Sequence, residues 1–233
     1  MATETSFGAR LLRAQNMHSY ISNFATFTPP RTQESAAAFG DLLTIVSNAN
    51  VAMSNAKQNY NTATSQRFEA FRSGTNSVFK MLPLIRGTVE AQYGKTSLEF
   101  KQIDTAVKVI RNNKIVKIAA TETTEASTIS LSEQSYGSTT QYFTNLVNNL
   151  TQITGYNPSN ATIKIPALQA LLTQINGLNM QVATSFQAMN TARTTRNVAY
   201  TDLKDRAARI KAYTKANYGT MSPEFKLVKG LSI

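Results

Sequence analysis

Residues 38–71 lie on residues 167–200 without a gap, at an offset of 129, and 11 of the 34 pairs are identical. The identities include Leu42/Leu171, Leu43/Leu172, Asn50/Asn179, Asn61/Asn190, Thr62/Thr191, Ala63/Ala192, Arg67/Arg196 and Ala70/Ala199. A second block follows at an offset of 125, where Tyr93-Gly-Lys-Thr-Ser-Leu-Glu-Phe-Lys101 meets Tyr218-Gly-Thr-Met-Ser-Pro-Glu-Phe-Lys226 with six of nine positions identical. Because the order is preserved, the chain reads as a tandem duplication, and it must solve one packing problem twice. A weaker correspondence pairs Phe24 with Phe143, which leaves Gly155–Pro166 as a longer version of the connection Thr28–Thr32. The expected plan is a first helical repeat over 1–111, a linker over 112–129 and a second repeat over 130–233. Within the linker, Ile115-Val-Lys-Ile118 has the character of a short strand.

Positions 39, 42, 46, 49, 53, 56, 60, 63, 67 and 70 read Phe, Leu, Val, Ala, Met, Ala, Tyr, Ala, Arg and Ala. The three-four spacing predicts one long amphipathic helix, and the same stripe recurs from Leu168 to Ala199. At ~1.5 Å per residue such a helix is about 50 Å long, so an elongated shape is expected. A shorter partner helix precedes each, with Phe7, Leu11, Ala14, His18, Ile21 and Phe24 in one and Phe143, Leu146, Val147, Leu150 and Ile153 in the other. Ser130-Leu-Ser-Glu133 has capping-box spacing and predicts the second partner helix to start there. Pro29, Pro30 and Pro158 break the chain so that each long helix returns antiparallel. After the long helix, Arg72-Ser-Gly-Thr-Asn-Ser77 interrupts the first repeat before Val78, Leu82, Ile85 and Val89. In the second repeat Thr201-Asp202 is the expected cap before Leu203, with an uninterrupted helix as the alternative. Pro83 kinks the third helix or shifts its start. The fold class is all-α: an elongated antiparallel helical bundle of two tandem repeats, each of about three helices.

The Tyr-Gly-x-x-Ser-x-Glu-Phe-Lys block reads as a helix–turn–helix joint. Gly94 and Gly219 suit a helix end, Ser97 and Ser222 the next N-cap, Glu99 and Glu224 a first turn, and Pro223 the first helical position. Phe100 and Phe225 then anchor the short helix on the core.

The chemistry available to this chain is narrow. With no Cys there is no disulfide, thiolate metal site or thiol nucleophile, and with one His there is no His-based metal cluster. His18 sits on a helical core stripe, so a packed histidine is expected rather than a base. Asp41, Asp104, Asp202 and Asp205 form no shared pattern; Asp202 and Asp205 find helical partners in Arg206 and Arg209. No phosphate-cradling Gly pattern or calcium loop is present. No enzymatic activity, cofactor or small-molecule ligand is therefore expected. The N-terminus lacks the apolar core of a secretory signal, and no segment reaches ~18 uninterrupted apolar residues, so a cytoplasmic location is expected.

The net charge of +11 is unevenly placed: residues 193–233 hold nine bases against three acids. Arg193, Arg196, Lys204, Arg206, Arg209, Lys211 and Lys215 are the candidate anion-binding residues, for nucleic acid or anionic lipid, although no recognised nucleic-acid motif accompanies them. Arg67 and Arg196 share the inward stripe. They serve either as a symmetric anion-binding pair or, the preferred reading, as stems that cover the core while their heads reach water or helix-end carbonyls.

The Asn-Thr-Ala-x-x-x-Arg-x-x-Ala stretch and the Tyr-Gly block resemble those of a group of uncharacterised bacterial helical proteins of similar length. That resemblance implies a duplicated helical fold over most of the chain and supplies no activity and no site residues. The expected function is a structural or protein-interaction bundle that self-associates or binds a protein partner. A binder of nucleic acid or anionic surfaces through 193–215 is the alternative. A helical membrane-active protein that inserts Ile115–Leu131 is the third reading.

Overall fold

The computed structural model describes residues 6–112 and 125–233 and is all-helical, with no strand among the described residues. Helix α1 spans Phe7–Ser22, α2 Ala36–Phe68, α3 Val78–Tyr93, α4 Leu98–Asn112, α5 Glu125–Gln152, α6 Ile165–Tyr218 and α7 Pro223–Lys229. Short 3₁₀ turns, Thr32–Glu34 and Ala161–Ile163, precede α2 and α6, and a π-helical stretch, Glu69–Ser73, follows α2.

Two compact units result. One joins Met1–Gln58 to Phe186–Ile233, and the other is Asn59–Ser185. They do not coincide with the spans 1–111 and 130–233, because their boundaries fall inside α2 and α6. Helix α6 gives its first part to the core of unit 2 and its second part to that of unit 1; α2 supplies the core of unit 1, and the π-helical stretch that continues it supplies Ala70 and Phe71 to that of unit 2. In unit 1, Ala14, Met17 and Ile21 of α1 pack with Phe39, Leu42 and Val46 of α2 and with Tyr200, Leu203 and Ile210 of α6. In unit 2, Phe143, Leu146 and Leu150 of α5 pack with Leu168 and Ile175 of α6 and with Phe71, Leu82, Ile85 and Val89. The predicted stripe is inward: of its ten positions in α2 and the π-helical stretch, only Ala56 and Tyr60 are less than fully buried.

The offset of 129 extends upstream without a gap. It relates the helix starts Ala36 and Ile165, the two 3₁₀ turns, and the turn residues Thr26 and Gly155, both at positive φ (60° and 82°). Phe24 therefore falls opposite Ile153 rather than Phe143, and the two connections are equal in length. Two further expectations are corrected. Helix α5 begins at Glu125, so Ser130–Glu133 lies within it and not at its cap. Helix α6 runs through Thr201-Asp202 without a break, because Asp202 accepts two hydrogen bonds from Arg206 one turn on (2.9 and 2.7 Å) instead of capping an N-terminus. The four extra residues of the other stretch are taken up by the π-helical turn and the bend before α3, and Pro83 sits inside α3. The expected linker 112–129, apart from its ends in α4 and α5, and the strand at Ile115–Ile118 lie outside the described residues.

The repeated block makes the same joint in both units. Gly94 and Gly219 adopt φ of 84° and 93°, which a side chain would strain. Ser97 and Ser222 accept the amides of Phe100 and Phe225 (both 3.1 Å). The Tyr93 hydroxyl donates to the Thr154 carbonyl (2.9 Å) and the Tyr218 hydroxyl to the Ala25 carbonyl (2.6 Å), so each tyrosine latches the joint to a turn beside Gly155 or Thr26.

A second matched set lies deeper. In unit 1 the Asn50 amide donates to the Tyr200 hydroxyl (2.9 Å), which donates to the Phe7 carbonyl (2.6 Å). In unit 2 the position of Tyr200 is Phe71, which has no hydroxyl. There Asn179 donates instead to the Thr140 hydroxyl (3.0 Å), which donates to the Tyr136 carbonyl (2.9 Å). The position matching Thr140 in unit 1 is Leu11. Both networks thus place one hydroxyl between an asparagine amide and a helix carbonyl, but they take it from different residues. Both asparagine Oδ1 atoms are buried without a donor, so deleting an asparagine removes a cost together with a bond.

The region Ala36–Tyr93 also contains an 18-residue window of mean hydropathy 1.2, of which 28% is buried; by length and composition alone it would cross a membrane. Phe39, Leu42, Leu43 and Val46, at the start of α2, are core residues of unit 1.

Two outcomes follow from these contacts. Tyr200→Phe leaves the Asn50 amide and the Phe7 carbonyl without their shared partner and is expected to cost about 1–3 kcal/mol in denaturant unfolding. Adding Leu11→Thr transplants the arrangement of unit 2 and recovers part of that loss; a double variant no more stable than the single one would show that the two hydroxyls are not interchangeable. In unit 2, Arg86 Nε lies 2.6 Å from Asp104 Oδ1, and Lys108 Nζ lies 2.7 Å from the other oxygen. The hydrogen bond from Arg86, then that from Lys108, holds the Asp104 carboxyl below its ordinary range. A depressed folded-state pKa contributes stability above the unfolded value near ~3.9, and this is lost as pH falls through the folded value. Asp104→Asn is accordingly expected to lower Tm at pH 7, and thermal melts at successively lower pH should show the gap closing below about pH 4.

Candidate functional site

The seven basic residues of α6 divide by face. At about 100° per residue, Lys204, Lys211 and Lys215 share one side of the helix, while Arg206 and Arg209 lie roughly opposite. The opposite pair is engaged with unit 1 itself. Arg206 binds Asp202 and donates to the Gln33 carbonyl (3.2 Å). Arg209, expected beside Asp205, turns instead to Glu34, with Nε 3.9 Å from Oε1. Glu34 is 3% exposed, stands where unit 2 has the buried Ile163, and is also met by Arg31 at 3.4 Å. Sequence reasoning did not single out this carboxylate; the Glu-for-Ile difference at offset 129 was its signal.

Arg196 and Arg67 have ring partners. The Arg196 guanidinium lies 4.0 Å from the centroid of Phe7, and that of Arg67 lies 4.1 Å from the centroid of Tyr136. Phe7 and Tyr136 are themselves 129 apart, and each ring also packs on a second aromatic, Tyr200 at 4.6 Å and Phe71 at 4.8 Å. A cation–π contact with an aromatic ring is thus common to both arginines of the inward stripe. Arg193 is half-buried. Lys211 donates to the Leu231 carbonyl, and burial lowers its ammonium pKa. Lys215 is exposed.

Charge differences at matched positions make unit 1 more basic than unit 2. At offset 125, Lys215 stands where unit 2 has Glu90, and Lys229 where it has Asp104. Unit 2 therefore balances Arg86, Lys95 and Lys108 internally, whereas unit 1 carries cations at the positions of those acids.

Lys204 belongs to a different cluster. It lines a cleft of about 560 Å³ in unit 1, together with Phe7, Arg10 and Arg13 of α1, Asn197, Tyr200 and Thr201 of α6, and Ser232 and Ile233. Arg10 donates to the Tyr200 carbonyl (3.3 Å) with its guanidinium 4.8 Å from the Tyr200 ring, and Arg13 donates to the Ser232 carbonyl (3.0 Å). The cleft joins Lys204 to two arginines that the sequence reading had not connected with it. They lie some 190 residues away in the chain, and a helical stripe pattern carries no information across that distance.

Other chemistry is sparse among the described residues. No group of three or more His, Asp or Glu side chains is placed to hold a metal ion. His18 packs on Gly40, where an added Cβ would stand 2.9 Å from its Nε2.

The Glu34 cluster gives a direct test. Glu34→Ile reproduces the residue of the other unit and removes a buried carboxylate, so thermal unfolding should show an unchanged or raised Tm. Arg209→Ala leaves Glu34 with less compensation and should lower it. A fall for Glu34→Ile larger than that for Arg209→Ala would mean that the ion cluster stabilises this turn. Compared with protein-family models, with curated proteins and with solved structures, the chain finds no match.

Proposed function

We propose that this protein is a non-enzymatic structural and protein-interaction bundle, made of two tandem copies of one helical module, that associates with itself. The reading is supported by the surface of α6. No Asp, Glu, Lys or Arg occurs between Lys164 and Arg193, a stretch of 28 residues. In unit 2 its solvent side presents Thr173, Gln174, Asn176, Gly177, Met180 and Thr184, and Met180 is 72% exposed. A monomer's surface ordinarily carries about a quarter to a third charged residues. Depletion of charge together with an exposed methionine is the composition of an interface core. Small and amide side chains also permit close approach of a second helix and hydrogen bonds across it. Within this reading the protein is cytoplasmic.

Light scattering across a concentration series checks the assembly. The expected mass exceeds the 25.5 kDa of one chain and rises with concentration. Met180→Lys combined with Thr184→Glu places charge on the face and should return the monomer with an unchanged helical spectrum. A strict monomer at every concentration would remove self-association and leave only the heterologous partner, to be sought by pull-down from the native host.

A further inference from the structure

The cations of the unit 1 cleft are not needed to build such a unit. At offset 129, Arg10 and Arg13 correspond to Thr139 and Tyr142, and at offset 125 Lys204 corresponds to Phe79. Unit 2 therefore closes the same helices with none of the three charges. In unit 1 all three converge on one recess, which Ser232 and Ile233 also line. Arg10 and Arg13 are held in place through single hydrogen bonds to backbone carbonyls, which leaves each guanidinium further donors. Lys204 makes no hydrogen bond or ion pair among the described residues. Thr201 adds a hydroxyl on the same wall.

We propose that this cleft binds a small phosphorylated molecule through a di- or triphosphate group. Its volume lies within the range of about 300–1,000 Å³ found for small-molecule pockets. Arginine guanidinium groups present planar paired donors suited to phosphate oxygens, and a lysine adds a mobile point charge. A small ligand fits better than a polymer, because the basic residues of α6 form no continuous track: Arg206 and Arg209 face Asp202 and Glu34, and Arg196 covers Phe7. The Phe7 and Tyr200 rings are already capped by Arg196 and Arg10, so recognition rests on the phosphates and not on stacking of a base.

Isothermal titration of the full chain at low salt, with inorganic pyrophosphate in one arm and ADP in the other, tests the assignment. Binding at one site per chain is expected in both arms, weakening as salt rises. Similar affinities locate recognition in the phosphates, and a preference for ADP adds contacts to the nucleoside. Lys204→Gln, with an unchanged Tm, should weaken binding about tenfold, equivalent to about 1.4 kcal/mol. Arg13→Gln should do the same, and Lys215→Gln, exposed on the same helix outside the cleft, should leave it unchanged. Absence of binding in both arms overturns the proposal. So does an equal loss in Lys215→Gln, or binding confined to single-stranded DNA or anionic vesicles, since each assigns the interaction to diffuse surface charge.

Discussion

Two long buried stripes, that of α6 and that of α2 with its π-helical continuation, each supply apolar residues to both cores and are the constraint on which the rest of this structure depends. The stripe of α2 runs from Phe39 to Met53 in unit 1 and resumes at Ala63 in unit 2, and that of α6 passes from Leu168 and Ile175 to Tyr200 and Ile210. A buried stripe must find a partner wherever it is apolar, and the α-helix keeps it in register over its whole length. The partners are then taken from distant chain: Phe7 meets Tyr200 and Phe71 meets Tyr136. Both cores join segments far apart in the chain, a contact pattern that slows folding.

Within this frame, the equivalent positions are fixed by physical need more than by residue type. A buried asparagine amide must have an acceptor, and Tyr200 or Thr140 provides one with equal geometry. Each arginine on the inward stripe sets its guanidinium over an aromatic ring, Phe7 or Tyr136. The turn latches obey the same rule, with tyrosine hydroxyls at 93 and 218 closing on carbonyls at 154 and 25.

Differences between the units are then the informative part. Glu34 for Ile163, Lys215 for Glu90 and Lys229 for Asp104 change charge without changing the path of the chain. The two lysine exchanges raise the charge of unit 1 while Glu34 lowers it, and Arg10, Arg13 and Lys204 bring three of its cations to one recess. A cluster that the architecture does not require is a better candidate for binding than a charge run on one helix, much of which is spent on Asp202, Glu34 and Phe7.

The amino-acid sequence by itself determined the helices, the faces they bury and the joint at each Tyr-Gly block, because three-four spacing, caps and positive-φ glycines are local properties of a few successive residues. It also pointed to the matched Arg67 and Arg196, though not to their rings. Tertiary structure alone decided which segments share a core, that α6 continues through Thr201-Asp202, and that Lys204 belongs with Arg10 and Arg13. Those outcomes depend on free energies of contact between residues far apart in the chain. An internal repeat shows which residues correspond; it does not show whether a segment packs with its own copy or with the other one, since both choices bury the same stripe.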